Sequence, residues 1–205
     1  MSGHFEDRAE FLIEPGYVDP REVVNTLDEM VPETISLFTG SGATAGFSNI
    51  LFRRRRPVVL ASHFFGCIGQ MLPAAMGGVT AMGNKPAMLV DGDASVMMHL
   101  AEFETMVRYG MPLLVIVMNN QALGSEYYKL DAHGMNADLS TIPTPDLGAV
   151  AKAFGGRGKL AHSVEDVRGA VSEWLEKPGP MMIDARIARS VITLPYRRIH
   201  YGRDE

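Results

Sequence analysis

The sequence predicts an α/β fold, a doubly wound and mainly parallel β-sheet with helices on both of its faces. Short apolar runs alternate along the chain with longer segments of helical spacing, as expected when each strand is followed by a covering helix. The runs are apolar throughout and do not alternate with polar residues, which is typical of strands buried on both faces. These strands are predicted at 35–39, 58–61, 87–90, 113–118 and 181–185.

Helices are predicted in the segments between and around these strands. Asp19 followed by Pro20 has the pattern of a helix N-cap and a first helical residue. Elsewhere the prediction depends on small or apolar residues repeating at three- and four-residue intervals. The helices are predicted at 20–30, 68–82, 96–109, 147–154 and 164–175, and the stretch 131–145, rich in Gly, Pro, Asn and Thr, is predicted to be a loop.

The composition narrows the classes of protein to which the chain can belong. Its 205 residues suit one domain, and 46% hydrophobic with 21% charged residues allow a packed core. The formal net charge of −5 argues against a nucleic-acid binder, and we interpret the single basic run, 53–56, as a solvated edge. No run of about 20 apolar residues occurs, so no membrane-spanning helix is expected.

The chain has one cysteine, Cys67, which excludes an intrachain disulfide and a cysteine cluster for zinc or iron–sulfur ligation. We interpret it as a small apolar filler in a protein of a reducing compartment. Residues 1–15 are acidic and lack the apolar core of a signal peptide, so a cytoplasmic location is expected. We expect residues 1–18 to form a linker, 19–189 the folded domain and 190–205 a tail.

Two polar motifs follow neighbouring predicted strands and carry the chemical information. Asp93, within Gly92-Asp93-Ala94-Ser95, follows the strand 87–90, and Asn120 follows the strand 113–118. In a parallel sheet both side chains therefore lie at carboxyl ends of strands, where doubly wound folds bind ligands. Each motif alone is common in turns, but the two together flank a single helix–strand unit.

The helix predicted after Ser95 adds a second requirement at the same place. Its free N–H groups and dipole favour a phosphate, whereas the Asp93 carboxylate would repel one. A Mg²⁺ ion resolves the conflict, because it prefers oxygen ligands and binds through one or two side chains together with substrate phosphates. The motif therefore predicts a site for Mg²⁺ and a phosphorylated cofactor.

These motifs resemble the signature of thiamine diphosphate (ThDP) enzymes of the acetolactate synthase and pyruvate decarboxylase kind. In that family Gly-Asp-Gly or Gly-Asp-Ala is followed at about this spacing by Asn-Asn, here Asn119-Asn120. The segments 66–69 and 72–75 resemble the part that cradles the ThDP pyrimidine, and 178–180 resembles the lead-in to the last strand. The resemblance covers nearly the whole chain and implies a six-stranded parallel pyrophosphate domain over 19–189.

The resemblance also implies roles for individual residues. Asp93 and Asn120 would be side-chain ligands of Mg²⁺ and Ala122 would supply a carbonyl, a role that survives although many relatives have glycine there. Ala43 replaces a polar residue of several relatives, so one diphosphate contact is in doubt. Ser95 would offer both its N–H and its hydroxyl. The diphosphate contacts are expected from Gly42, Ala43, Thr44, Gly92, Ala94 and Ser95.

Two residues are expected beside the pyrimidine and thiazolium rings of the cofactor. Ile68 stands where a large aliphatic side chain props ThDP into the bent conformation that lets the cofactor deprotonate itself. The Gly66 carbonyl would bind the 4′-amino group. Relatives also need a glutamate from a separate pyrimidine-binding domain, and nothing in this sequence resembles that domain. We therefore expect a partner domain or subunit of the same enzyme, in an oligomer.

The reaction expected from the resemblance is decarboxylation of a small 2-oxo acid, with ligation to an acceptor as an open alternative. Lys129 stands where acetolactate synthases usually carry tryptophan, which weakens that assignment. Glu126 has the spacing of a proton-handling glutamate of pyruvate-type decarboxylases, although a helix-start charge explains it equally well. His63 is a candidate for facing the cofactor or substrate, with a buried structural histidine as the alternative.

Two other classes remain open at the level of sequence. The β subunit of 2-oxo acid:ferredoxin oxidoreductases is also a separate ThDP domain, but that class usually brings cluster cysteines, which one cysteine cannot provide. A non-catalytic module that binds ThDP or a partner chain is the other alternative. The intact metal motif argues against it.

Overall fold

The computed structural model describes residue 7 and residues 9–62 and 65–202, and it contains one six-stranded sheet in which every strand pair is parallel. The strand order is β2-β1-β3-β4-β6-β5, so the predicted doubly wound parallel fold is confirmed. The strands are β1 Ser36–Thr39, β2 Val59–Ala61, β3 Ala87–Gly92, β4 Leu113–Asn119, β5 Arg157–Ala161 and β6 Met181–Arg186.

Eight helices of six or more residues accompany these strands in the described part of the chain. Asp19 caps the first of them through its carboxylate and Pro20 is its first residue, as predicted. The helices are α1 Pro20–Met30, α2 Ala43–Leu51, α3 Met71–Ala81, α4 Asp93–Met98, α5 Glu102–Arg108, α6 Gly124–Ala132, α7 Leu147–Ala153 and α8 Val164–Glu176.

The helices form one layer on each face of the sheet. Side chains of α1, α2 and α8 pack on one face, and those of α3, α4, α5 and α7 pack on the other. The central strand β4 serves both layers, because successive side chains of a strand point to opposite faces: Leu114 and Ile116 join the first layer, and Val115 and Val117 the second. This burial on both faces explains why the strand is apolar without alternation.

The helix α3 packs so closely on the sheet that one of its residues must be glycine. A Cβ built on Gly78 would overlap the ring of Phe38 from β1. Close packing therefore explains Gly78, whereas a Cβ on the neighbouring Gly77 would meet nothing within 4 Å. The helix itself begins at Met71, three residues after its predicted start.

The single helix predicted over 96–109 is wrong. The chain forms α4 and α5 instead, separated at 99–101, where His99 leaves helical geometry with φ −129° and ψ 29°. At this break the chain at Gly69 packs directly against the end of α4, since a Cβ on Gly69 would come within about 3 Å of Met98 and His99. The helix also begins earlier than predicted, at Asp93, which places its N-terminus directly at the predicted metal ligand.

Three elements were not predicted from local pattern. β5 is an edge strand in which Lys159 is exposed, so it lacks the continuous apolar run of the inner strands. The helices α2 and α6 begin with Ala, Gly, Ser or Thr residues that local rules assign to turns. The predicted loop 131–145 contains one 3₁₀ turn, Ala137–Ser140.

The segments before α1 and after β6 lie against each other. Val18 forms a parallel bridge with Ile187, and the buried Arg197 guanidinium donates two hydrogen bonds to the Asp7 carboxylate. Beyond the predicted domain boundary at 189, the chain forms a short helix, Leu194–Tyr196, and a π-helical turn, Arg197–Tyr201. None of the helices in the described ranges is long and apolar enough to cross a membrane.

Candidate functional site

A cleft lies at the carboxyl ends of β1, β3 and β4, where the strand order changes direction between β1 and β3. Such switch points are where doubly wound sheets bind ligands. We call it the cofactor cleft, and its volume is about 100 Å³. It is lined by twelve of the residues predicted from the sequence: Gly42, Ala43, Thr44, Gly66, Ile68, Gly92, Asp93, Ala94, Ser95, Asn120, Ala122 and Glu126. The remaining candidate, His63, lies outside the described residues.

Asp93 occupies the first turn of α4 and is 1% exposed. Burial raises the pKa of its carboxyl group to about 7, against the opposing effect of backbone N–H groups of Ala94, Asp93 and Gln121. Its Oδ2 atom is buried without any hydrogen-bond partner. A buried carboxylate oxygen with no donor is the kind of group that a bound cation satisfies.

The second predicted ligand lies on a tight turn that follows β4. Asn120 is 4% exposed, and its Oδ1 atom accepts a hydrogen bond from the Ala122 N–H at 3.2 Å. Between them Gln121 adopts the left-handed conformation, with φ 56°. Amide oxygens have two lone pairs, so Asn120 can accept this hydrogen bond and still coordinate a cation. The donor set around Asp93 therefore fits Mg²⁺.

The turn is held from behind by a buried polar network. Asn119 accepts hydrogen bonds from the Gln121 N–H and the Thr144 hydroxyl, and its own amide donates to Asp184 Oδ1 at 2.8 Å. Asp184 is fully buried and also accepts from the Leu147 N–H, at the start of α7, and from Arg186. This network ties the end of β4 to β6 and α7 and so determines where Asn120 lies.

The part of the chain that the structure describes has no cluster of side chains that could hold a metal ion without other ligands. In the described ranges, no three His, Cys, Asp or Glu side chains converge on a common point. A cation in the cofactor cleft would therefore depend on Asp93, an amide oxygen, a backbone carbonyl and the oxygens of a bound ligand. That combination is typical of Mg²⁺ bound together with phosphates.

The first turn of α2 supplies the other wall of the cofactor cleft. Gly42 precedes the helix with φ 82°, a left-handed conformation that favours glycine, and no side chain caps the helix. The N–H groups of Ala43 and Thr44 therefore lie in the helix's first turn, where no intrahelical acceptor exists. Two helix N-termini, those of α2 and α4, thus border the same cleft, and both favour an anion.

Ser95 has a different role from the one expected for its hydroxyl. The hydroxyl donates a hydrogen bond to Asp91 Oδ2 at 2.6 Å and accepts one from the Gly69 N–H at 2.8 Å. Burial raises the pKa of Asp91 to about 6, and the hydrogen bonds from Ser95 and the Gly92 N–H oppose that rise. The hydroxyl proton is therefore committed to the protein, and only the N–H of Ser95 stays a predicted diphosphate contact.

The pyrimidine side of the predicted site is more open. The Gly66 carbonyl accepts a hydrogen bond from the Ser41 hydroxyl at 3.2 Å, which leaves its second lone pair. Ile68 lines the cofactor cleft and also a shallow apolar surface next to it. Further apolar side chains on that surface are Met97, Met98, Leu123 and Ile142.

Glu126 lies in the first turn of α6 at the rim of the cofactor cleft. Its side chain is 52% exposed, and Oε1 lies 3.6 Å from Nζ of Lys129. These are the contacts of a helix-start charge. Leu123 lines the cofactor cleft as well, whereas Tyr127 and Tyr128 line a different cleft.

Sequence reasoning missed several residues of the cofactor cleft. Gly124 is required there, because a Cβ would come within 2.7 Å of Asn120 Nδ2. Ser125 is anchored through its hydroxyl to the Tyr196 hydroxyl at 2.6 Å. The signal that could have identified them is the glycine four residues after Asn120, at the start of a helix. The missed residues are Ser41, Gly124 and Ser125.

Comparison with known proteins identifies the class of site. The family model described as thiamine pyrophosphate enzyme, C-terminal TPP binding domain, matches residues 40–185, a range that includes both predicted side-chain metal ligands. The chain belongs to this family. Thiamine pyrophosphate is ThDP, so the family assignment agrees with the cofactor that the sequence predicted.

Curated relatives of this TPP-binding domain are longer enzymes. The chain is 28% identical over 192 residues to the acetolactate synthase large subunit of Parasynechococcus marenigrum (strain WH8102), a match covering 90% of this chain and 31% of the relative. It is 29% identical over 188 residues, 87% of this chain and 30% of the relative, to acetolactate synthase 2, chloroplastic, of Zea mays. It is 25% identical over 165 residues, 80% of this chain and 28% of the relative, to sulfoacetaldehyde acetyltransferase of Castellaniella defragrans.

The chain thus spans about 30% of the length of the curated relatives that it matches. The rest of each relative lies outside the matched region. A TPP-binding domain of the acetolactate synthase-like kind is therefore shown, and what the complete enzyme does is a matter for proposal.

Proposed function

We propose that this TPP-binding domain holds ThDP through Mg²⁺ and contributes half of an active site that decarboxylates a small 2-oxo acid, with or without ligation of the product to an acceptor. The observation that carries the proposal is the buried Asp93 carboxylate, whose Oδ2 atom lacks a hydrogen-bond donor at the N-terminus of α4. An unpaired charge in that position is costly, and a cation shared with a diphosphate compensates for it.

In this proposal each wall of the cofactor cleft has its own task. Asp93, Asn120 and the Ala122 carbonyl hold Mg²⁺, and the N–H groups at the starts of α2 and α4 bind the diphosphate, with Gly42, Ala43 and Thr44 on one side and Gly92, Ala94 and Ser95 on the other. The Gly66 carbonyl accepts from the 4′-amino group, and Ile68 supports the bent cofactor.

The chemistry supplied by bound ThDP is stabilisation of the carbanion left when a 2-oxo acid loses carbon dioxide. The protein's own contribution is to orient the diphosphate in the cofactor cleft and to exclude water from that cleft. Glu126 lines the rim of the cleft and is kept as a candidate for handling protons, although its exposure and its contact with Lys129 favour a helix-start charge. His63 is kept as a candidate for a contact with cofactor or substrate.

The proposal requires a partner that supplies the pyrimidine-activating glutamate. The apolar surface beside the cofactor cleft supports it, since Met97 and Met98 on that surface are 36% and 59% exposed. Exposed apolar side chains grouped next to a ligand site are typical of a surface that another domain covers. We propose that a pyrimidine-binding domain or subunit of the same enzyme docks there in an oligomer.

The proposal is tested by calorimetry on the full chain. Titration with ThDP should give saturable binding with Mg²⁺ and much weaker binding in EDTA, because the cation links the diphosphate to Asp93. Thiamine, which lacks the diphosphate, should bind poorly under both conditions. Asn120→Ala should weaken binding strongly, whereas the matched control Asn25→Ala, on the exposed face of α1, should leave it unchanged.

Binding of ThDP that is equally tight in EDTA, or equally tight in Asn120→Ala, would contradict the assigned metal site. The partner is tested separately by searching the neighbouring reading frames for a pyrimidine-binding domain and adding its product to this chain. Turnover of 2-oxo acids should appear only in the mixture.

A further inference from the structure

A second cleft, with a volume of about 390 Å³, lies between α6, the segment that follows β6 and the segment before α1. It shares Asn120 with the cofactor cleft but none of the other predicted site residues. Its walls combine three kinds of group: the Arg189 guanidinium, the phenol rings of Tyr17, Tyr127 and Tyr128, and the carboxylates of Glu14 and Asp131. The proposed function uses none of these side chains.

Arg189 is half-buried and held in a fixed orientation. Its Nε atom donates a hydrogen bond to the Asn120 carbonyl at 3.0 Å, and the guanidinium lies over the ring of Tyr127 at 4.8 Å from the centroid. Its two Nη atoms donate to no acceptor in the described part of the chain. A guanidinium that is already oriented, with free Nη donors at a cleft, suits the bidentate binding of a planar carboxylate.

The carboxylates in this cleft restrict the charge of a ligand. Asp131 is exposed and accepts a hydrogen bond from the Tyr201 hydroxyl at 2.8 Å, and Glu14 is exposed at the opposite segment. Two negative charges oppose a polyanion such as a nucleotide, but they attract an ammonium group. The tyrosine rings add apolar walls that accommodate a short carbon skeleton.

We propose that this second cleft binds a small monocarboxylate, with the carboxylate on Arg189 and with preference for a ligand that also carries an ammonium group near Asp131 and Glu14. The ligand class is therefore a small α-amino acid, and a 2-oxo acid of the same skeleton binds through the same carboxylate contact but less tightly. The inference goes beyond the proposed function and needs neither ThDP nor Mg²⁺.

The test uses the full chain without ThDP and without divalent cations. Alanine, pyruvate and alaninamide share one three-carbon skeleton and differ only in the groups that the cleft is expected to recognise. Ligand binding is followed by calorimetry and by changes in the backbone amide spectrum. We expect saturable binding of alanine with a dissociation constant on the order of millimolar, since so few atoms contribute. Pyruvate should bind more weakly, and alaninamide, which lacks the carboxylate, weakest of all.

Substitution then locates the site. Arg189→Gln should weaken alanine binding by roughly 10- to 100-fold, the usual effect of losing hydrogen bonds to a charged group. The matched control Arg108→Gln removes an exposed guanidinium on α5 that does not line the second cleft, and it should leave alanine binding unchanged. Asp93→Asn should leave alanine binding intact, although it removes a predicted Mg²⁺ ligand. Failure of this inference is therefore distinguishable from failure of the proposed function.

Three results would overturn the inference. One is alanine binding that is as tight in Arg189→Gln as in the wild type, and another is equal binding of alanine and alaninamide. The third is pyruvate or alanine binding that is lost in Asp93→Asn but kept in Arg189→Gln, which would place the ligand in the cofactor cleft. The alaninamide comparison uses only wild-type protein, so it decides the question even if Arg189→Gln does not fold.

Discussion

Replacement of Asp93 by asparagine should make the metal-free chain more stable while it abolishes Mg²⁺-dependent cofactor binding. The side chain is 1% exposed, and its Oδ2 atom has no hydrogen-bond donor. Asparagine has nearly the same shape but no charge. The substitution therefore removes a group that only a bound cation compensates.

The size of the effect follows from the pKa of Asp93. Burial raises that pKa from about 3.8 to about 7. One pKa unit corresponds to about 1.4 kcal/mol, so the charged carboxylate destabilises the metal-free fold by up to about 4 kcal/mol above pH 7. The amide N–H group that asparagine introduces lacks an acceptor and costs about 1–3 kcal/mol. We expect a net stabilisation of about 1–3 kcal/mol at pH 8.

The free energy of unfolding of the wild type should depend on pH in a direction that is specific to a buried carboxylate with a raised pKa. Between about pH 4 and pH 7 the folded chain holds the Asp93 proton and the unfolded chain does not. The free energy of unfolding of the wild type should therefore fall as the pH rises through this window. In Asp93→Asn this contribution is absent, so the stability advantage of the variant should grow from pH 4 to pH 8. Groups that do not interact with Asp93 titrate alike in both proteins and cancel in the difference.

The assay is urea unfolding of both proteins in EDTA at several pH values, followed by the same measurement at pH 8 with Mg²⁺ and ThDP. A ligand at a hundred times its dissociation constant stabilises by about 2.7 kcal/mol, and only the wild type should gain it. Parallel stability curves for the two proteins between pH 4 and pH 8 would show that Asp93 is not the buried, uncompensated charge described above. Equal stabilisation of both by Mg²⁺ and ThDP would refute its role as a ligand.

Four further predictions test other parts of the structure. The purified chain should show no turnover of pyruvate with ThDP and Mg²⁺, because the proposal assigns the pyrimidine-activating glutamate to a partner. Robust turnover by the chain alone would count against the need for a partner. Glu126→Gln in the complete enzyme should lower turnover by roughly 10²- to 10⁴-fold if this side chain handles protons, whereas an unchanged rate with a stability loss of about 1 kcal/mol or less would identify a helix-start charge. Asp184→Asn should destabilise the fold by about 3–5 kcal/mol, because it leaves the buried Arg186 without its ion-pair partner. Urea unfolding measures this change. A loss below about 1 kcal/mol would mean that the network behind Asn119 does not stabilise the fold. Gly78→Ala should cost about 1–3 kcal/mol by overpacking against Phe38, with Gly77→Ala, where a Cβ meets nothing within 4 Å, as the matched control.

Much of the sheet could be predicted from the sequence because its inner strands are buried on both faces. The sequences of β3 and β4 are continuous apolar runs, and such runs between helical segments are typical of strands in a parallel sheet. The edge strand β5 could not be predicted in this way, because an edge strand with Lys159 exposed has the composition of a loop. The split between α4 and α5 was also hidden, since it depends on contact with Gly69, 30 residues from His99 in sequence.

The metal motif shows the same division within the site. Asp93 and Asn120 could be paired from sequence, because strands of a parallel sheet bring their carboxyl ends to one edge whatever the loops do. The hydrogen-bond partner of the Ser95 hydroxyl could not be predicted from the sequence. That partner is Asp91, a residue of β3, and the hydrogen bond depends on the angle at which α4 leaves β3. The same holds for the network of Asn119, Thr144, Asp184 and Arg186, whose members come from separate segments of the chain.

By itself the sequence determined the parallel α/β class, the ThDP signature and the residues at the edge of the sheet where the cofactor is expected. These follow from patterns that are local or repeat at a fixed period. Only the tertiary structure decided which polar atoms are paired and which remain without a partner. The orphaned Oδ2 of Asp93 and the fixed guanidinium of Arg189 are examples. Their physical reason is that hydrogen bonding and burial depend on distances of a few tenths of an ångström between distant segments, which no local pattern encodes.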